Sequence, residues 1–208
     1  MSLAYKISEY NRNRKWRAFI KTFTLSPNVK ILDVGFTERE YSETDNYLEK
    51  HFPYQHNITA LGVDQADEFR HRYPAVNVVT YRGGKFPFDE RQFDICWSNA
   101  VIEHVGNSQK QLVFLQEIRR VAKHGYLTTP NRMFPFEVHT RLPLLHYLPK
   151  PWFDAIIKRT NRKWAAGDYM HLLSERALRK LLQAAGYTNY TIIKNRLVFI
   201  PLDFVVVF

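Results

Sequence analysis

Phe93 to Thr129 reads FDICWSNAVIEHVGNSQKQLVFLQEIRRVAKHGYLTT, and the fold is decided in this stretch. Phe93 to Ser98 is a compact, mostly apolar run of the length expected for a strand buried on both faces. Ser108 and Gln111 stand at capping-box spacing, and Leu112, Leu115, Ile118 and Ala122 recur every three to four residues. Those four side chains share one helical face, and Gly125 is the expected stop of that helix. A second β-rich run, Tyr126 to Thr129, follows directly. Two strands joined through a helix lie parallel in one sheet, because a tight turn can only reverse the chain.

The same alternation extends in both directions. Val29 to Val34, Ile58 to Asp64 and Val76 to Tyr81 are short β-rich runs upstream. Downstream, a helix is expected from Ser174, with Leu178, Leu181, Leu182 and Ala185 on one face and Gly186 as its stop. Tyr190 to Phe199 and Leu202 to Phe208 then follow with no helix between them, which predicts an antiparallel pair at one edge. The pattern is an α/β fold, a mostly parallel sheet with helices on both faces. It breaks between Pro130 and Gly167, where Pro135, Pro143, Pro149 and Pro151 interrupt an aromatic and basic stretch. Residues 131–167 are read as an insert over the carboxyl edge of the sheet, within a single domain spanning 1–208. Open α/β sheets bind ligands outside the carboxyl ends of their strands, so the chemistry is expected in the loops after the first, second, fourth and fifth strands.

Composition narrows the classes. With 208 residues and 45% apolar content the chain can bury a sizeable core, which excludes disordered and low-complexity classes. Cys96 is the single cysteine, so no internal disulfide forms and a reducing, cytoplasmic compartment is expected. No run of 18 apolar residues occurs and the first twenty residues lack a signal-peptide core, so neither a membrane span nor export by that route is expected. Thirty Lys and Arg against twenty Asp and Glu leave a net charge of +10, which raises nucleic acid, an anionic membrane surface or an acidic substrate as partners. The excess gathers at Arg12, Arg14, Lys15 and Arg17 and again at Lys150, Lys158, Arg159, Arg162 and Lys163.

Three places carry candidate chemistry. The first loop runs Asp33-Val34-Gly35-Phe36-Thr37, where Gly35 either admits a ligand to the backbone or relieves a tight bend. The second strand ends at Asp64, whose carboxylate suits the paired hydroxyls of a ribose or, alternatively, caps the next helix. The insert opens with Asn131, Arg132, Glu137, His139 and Arg141, a mixture suited to a polar or anionic acceptor, or else a Pro-rich flap over the core.

Phe86-Pro87-Phe88-Asp89, the Phe93-Asp94 strand start and the Glu103-His104-Val105 strand exit together resemble the type 11 class I methyltransferases that use S-adenosylmethionine. Gln116 to Gly125 is similar to the family's helix after strand four, and Leu127 to Arg132 to its fifth strand and loop. The resemblance covers roughly Lys30 to Gly186. It implies a Rossmann-like sheet of seven strands with the last antiparallel, and a cofactor lying across strands one, two and four. On that mapping Asp33, Gly35 and Thr37 border the methionine end and Asp64 meets the ribose. Gly83, Gly84 and Phe86 lie near adenine, and Ser98 and Asn99 line the transfer centre. Two departures stand out: Thr37 and Arg39 replace the later glycines of the family's acid-x-Gly-x-Gly-x-Gly loop, and Arg82 replaces the acid before the Pro-Phe turn.

Methyl transfer from a sulfonium needs alignment more than covalent help. A base is required only for a protonated acceptor, and His104 and His139 are the candidates, with Glu103 and Glu137 beside them. Asn131, Arg132, Glu137 and Arg141 are expected to hold a small-molecule, glycan-linked or lipid-linked acceptor. The Glu103-His104 pair lacks two further clear ligands, so no metal is expected. Two alternatives remain: a nucleic-acid-binding protein with Arg12, Arg14, Lys15 and Arg17 as a phosphate track and Tyr10 and Trp16 for stacking, catalytic on RNA or not; or a non-catalytic relative that keeps the fold to assemble with a partner.

Overall fold

In the computed structural model, which describes residues 3–63, 65–137 and 139–208, seven strands form one sheet in the order β3-β2-β1-β4-β5-β7-β6. They are β1 (Ile31–Val34), β2 (Ile58–Gly62), β3 (Asn77–Thr80), β4 (Phe93–Asn99), β5 (Ala122–Pro130), β6 (Thr191–Leu197) and β7 (Ile200–Val207). Strand β1 pairs in parallel with both β2 and β4, and β2 in parallel with β3, whereas β6 runs antiparallel to β7. The expected α/β class is therefore the observed one. The strand order reverses direction between β1 and β4, and the crevice outside their carboxyl ends is the topological switch point where such sheets bind ligands.

Two compact units make up the chain, one of Met1–Asn99 with Arg120–Tyr126, the other of Ala100–Arg119 with Leu127–Phe208. The first unit adds helices α1 (Leu3–Thr22), α2 (Tyr47–His51) and α3 (Asp67–Arg72) to β1–β4. Its aromatic core stacks Trp97 on Tyr126 at 5.3 Å, and Phe19 meets both rings edge-on at 4.8 and 5.4 Å. Helix α1 was not legible in the hydrophobic pattern because its buried stripe is Asn11, Lys15 and Phe19, spaced by four but mostly polar. The Tyr126 hydroxyl donates to the Lys15 carbonyl at 2.9 Å, so this helix is tied to the core through its backbone.

Helix α4 (Ser108–Val121) begins one residue after its true cap: the Asn107 side chain accepts from the Lys110 amide at 3.1 Å. Gln111, expected to complete a capping box, instead donates to the carbonyls of Ile102 and His171 at 3.1 and 2.9 Å. The helix stops at Val121, not at Gly125, because Ala122 to Gly125 already belong to β5. In the second unit, α6 (Glu175–Ala184) follows the predicted cap, with the Ser174 hydroxyl accepting from the Ala177 amide at 3.3 Å and Leu178 and Leu182 buried. Residues 131–167 are more ordered than their prolines suggest. Pro151 sits in the first turn of helix α5 (Lys150–Ile157), where a missing amide costs nothing, and Phe153, Ile157, Ala165 and Met170 form a small core of their own. Among the described residues, no helix is long and apolar enough to cross a membrane.

The end of β2 shows how tightly the switch point is packed. A Cβ on Gly62 would lie 2.6 Å from the Phe36 ring, which in turn packs on Phe69 at 4.5 Å. Gly62→Ala is accordingly expected to destabilise the protein by about 1–3 kcal/mol, the usual cost of overpacking, read as a lower denaturant midpoint with an unchanged slope. An unchanged midpoint would show that Phe36 swings away freely.

Candidate active site

At the switch point, strand β1 delivers Asp33 and then Gly35, and β4 delivers Trp97 and Asn99, to one cleft. Arg12 of α1 and Thr37, Thr44, Asp45, Asn46 and Tyr47 complete its lining. Of the cofactor residues expected from the sequence, Asp33, Gly35, Thr37 and Asn99 are thus brought together. Gly35 is exposed, at φ 102°, and its amide donates to the Leu61 carbonyl at 2.8 Å. A side chain there would be strained as well as obstructive, so its backbone shape and its openness to a ligand are inseparable. Ser98 is buried in β4. Gly83 and Gly84 form an exposed turn at φ 83° and 79°, and Phe86 is buried edge-on to Tyr81 at 5.4 Å. Asp64 lies outside the described residues.

The loop after β1 replaces the missing glycines with side-chain scaffolding. Asn46, itself left-handed at φ 46°, accepts from the Thr37 amide and donates to the Thr37 carbonyl, both at 2.8 Å. Glu38 reaches forward to cap α3, accepting from the amides of Glu68 and Phe69 at 2.9 and 3.2 Å. The backbone path is therefore fixed by four hydrogen bonds to two side chains.

Beneath this loop lies a buried acid pair that the sequence does not announce. Glu49 of α2 is wholly buried, its carboxyl acts on that of Asp33, and neither of its oxygens has any other hydrogen-bond partner. Burial, reinforced by the charge of Asp33, pushes Glu49 well above the usual carboxylate range, so it keeps its proton at neutral pH. Burial also raises Asp33, to about 6, against the lowering effects of a hydrogen bond with Glu49 and of the Arg12 charge. At neutral pH the cleft thus presents the Asp33 carboxylate and the Arg12 guanidinium, the complement of an amino-acid zwitterion, while Asp45 is engaged by the amides of Tyr41 and Ser42. Cys96 beside them is inert: burial and the Asp33 charge push its thiol up.

A second cluster sits in the other unit. Glu103, His104 and His139 bring ligand-type atoms within 4.8 Å of one another, the two Nε2 atoms lying 3.1 Å apart and the His139 Nε2 3.9 Å from Glu103 Oε1. His139 Nδ1 bonds Glu137 at 2.7 Å, and the amides of His139 and Thr140 also donate to that carboxylate. Burial alone would raise Glu137, but these bonds and the His139 charge hold it down at about 2. Burial opposes the charged form of His139, yet the two glutamates raise its pKa overall. Asn131 is committed to internal bonds with the Pro201 carbonyl and the Met133 amide, at 2.8 and 2.9 Å, whereas Arg132 and Arg141 are exposed.

Residues 32–128 match the family model described as a methyltransferase domain. Over those residues, just under half of the chain, it is similar to a methyltransferase domain. No curated protein matches the sequence. Among solved structures it is similar to a SAM-dependent methyltransferase from Aquifex aeolicus, with 19% identity and a TM-score of 0.53 over 92% of this chain and 87% of the other. A SAM-dependent methyltransferase from Methanosarcina mazei gives 15% identity and a TM-score of 0.57 over 91% and 94%. The N-terminal domain of EvdMO1, solved with SAH bound, gives 21% and 0.52 over 94% and 79%. Identities this low speak for the fold alone.

Arg12 was missed as a site residue because it reads as one of several basic residues near the N-terminus, and Lys15, from the same supposed phosphate track, is buried. The acid pair makes a two-sided prediction for Asp33→Asn. Because the folded pKa of Asp33 lies above its ordinary value, ionisation at neutral pH costs stability, so the variant gains about 1–3 kcal/mol at pH 8, roughly half as much at pH 5 and little below about pH 4. The same variant is expected to lose about 1.5–3 kcal/mol of S-adenosylmethionine affinity by calorimetry. In the parent protein that affinity falls as pH drops through about 6, where Asp33 takes up its proton. A variant that is less stable at pH 8, or that binds cofactor normally, contradicts the assignment.

Proposed function

We propose that this methyltransferase moves the methyl group of S-adenosylmethionine to an oxygen or nitrogen of a small-molecule, glycan-linked or lipid-linked acceptor. The amino-acid end of the cofactor lies between Arg12 and Asp33 and against Gly35, its ribose meets Asp64, and Ser98 and Asn99 flank the transferable methyl. The sulfonium supplies an activated methyl and a neutral leaving group, so the protein contributes orientation and, for a protonated acceptor, removal of one proton.

The observation that carries the acceptor reading is the imidazole pair. The carbonyl of Tyr169 can only accept, so His104 Nδ1, 3.0 Å away, is the protonated nitrogen. The ionised Glu137 fixes His139 in the same way. In the neutral imidazoles Nε2 is therefore the basic nitrogen, and the raised pKa of His139 lets it hold a proton shared with His104 Nε2 at 3.1 Å. Glu103 and His104 follow Asn99 within five residues on the connection after β4, which links cofactor-lining and acceptor-activating residues along the chain.

Residues 131–167 cover the acceptor in this reading. Exposed Met133, Phe136, Trp152 and Trp164 beside Arg132, Arg141, Lys158 and Arg159 favour an acceptor with an apolar and an anionic part, as in a lipid-linked molecule. The basic excess also favours nucleic acid, but Lys15 is buried and Trp16 packs on Phe19 and Trp97, which removes one phosphate contact and one stacking ring from the supposed RNA track.

Incubation with methyl-labelled S-adenosylmethionine and separated lipid, polar-metabolite and RNA fractions tests the acceptor, with label expected in lipid or polar metabolites. Label confined to RNA would contradict it. His104→Ala is expected to lower that transfer by about 10²–10⁴-fold while leaving cofactor affinity unchanged. An unaffected rate would remove His104 from the chemistry.

A further inference from the structure

The tautomers fixed at His104 and His139 create a problem for the protein alone. With both Nδ1 atoms turned backwards to Tyr169 and Glu137, the two Nε2 atoms face each other at 3.1 Å, and either a proton or a metal ion must lie between them. The nearest further polar atom, Glu103 Oε1, also has only lone pairs to offer: it is buried and makes no hydrogen bond. Its partner oxygen Oε2 is engaged by the Thr129 hydroxyl at 3.0 Å. Three ligand-type side chains thus converge, with the buried carboxylate of Glu137 behind His139.

We infer that Glu103 Oε1, His104 Nε2 and His139 Nε2 form a mononuclear site for a divalent transition metal, with zinc the best match. Tetrahedral zinc with bonds near 2.0–2.1 Å separates its ligand atoms by about 3.3 Å. The separations of 3.1 and 3.9 Å bracket that value, and the three side chains bring a ligand atom each within 4.8 Å of one another. Two imidazoles and one carboxylate are a set that zinc accepts in catalytic sites, where the fourth position stays open. The outer contacts fit as well. Ligating imidazoles turn the other ring nitrogen to a carboxylate or a carbonyl, and here His139 has Glu137 and His104 has Tyr169. Ligating carboxylates are themselves hydrogen-bonded, and Glu103 has Thr129. Glu103 and His104 are neighbours in sequence, but the third ligand lies 35 residues away, which is why spacing alone does not reveal the site.

Metal binding stands on this geometry alone; the step it serves rests on the methyltransferase reading. With the metal bound, the Nε2 lone pairs are ligands and no longer act as bases; at the open position the metal would take the acceptor hydroxyl and lower its pKa, releasing the proton to solvent. The alkoxide oxygen then forms the new C–O bond as the methyl–sulfur bond breaks, and its electron pair stays on sulfur to give the neutral thioether.

The test is titration of the chelator-stripped full chain with Zn²⁺ against a chromophoric chelator, and with Co²⁺ read by its visible bands. One equivalent per chain with a tetrahedral Co²⁺ spectrum is expected. His104→Ala and His139→Ala are expected to weaken Zn²⁺ binding more than 100-fold, and Thr129→Val by about 10–100-fold as a second-layer contact. Glu103→Gln keeps the shape of the site, so loss of metal with a retained fold isolates the ligand role. No stoichiometric uptake by the parent protein, or equal affinity in His104→Ala, would overturn the site and leave a shared proton between the imidazoles as the explanation. S-adenosylhomocysteine binding measured on the same stripped sample separates this failure from failure of the cofactor assignment.

Discussion

Glu49, wholly buried, acts on Asp33 in the wall of the cleft, and the charge that the cleft presents depends on that pairing. Two carboxyls cannot both ionise at close range in an apolar surrounding, so Glu49 holds its proton and Asp33 alone carries charge. The arrangement is not a stabilising one. A buried ionised acid costs folding free energy and persists where a ligand or a neighbouring cation makes use of it. Arg12 supplies that cation from a helix tied to the core by the Tyr126–Lys15 contact. Charge placement at the cleft is therefore a product of the aromatic core as much as of the loop itself.

Loss of glycines from the loop after β1 changes how the cleft is built without removing it. Where successive glycines would let backbone atoms approach a ligand, this chain keeps Gly35 and holds the remainder by Asn46 and Glu38. Side-chain scaffolding of this kind fixes the loop before ligand arrives, which reduces the ordering cost of binding. The same economy appears in the second unit, where Glu137, Tyr169 and Thr129 fix the orientation of His139, His104 and Glu103.

The fold was legible because period and punctuation agree: the apolar face of α4 between two β-rich runs and the uninterrupted pair β6–β7 dictate a mostly parallel sheet with an antiparallel edge. What failed to show were elements whose buried faces are polar or whose breakers are used constructively. Helix α1 buries Asn11 and Lys15, and α5 places Pro151 where a helix tolerates it. Asp33, Gly35, Thr37 and Asn99 were legible as strand-end residues, since the switch point follows from topology. Glu49 was not, because one acid in a short helix carries no local sign that it will be buried against another. His139 joined His104 only through the course of the chain after β5.

The account turns on where the amino-acid end of the cofactor lies. A crystal structure of the protein with S-adenosylhomocysteine at neutral pH tests it most directly. The ligand is predicted with its carboxylate on Arg12, its ammonium on Asp33 and its chain against Gly35. Density for the ligand at any other place, or an amino-acid end that touches neither Arg12 nor Asp33, would contradict it.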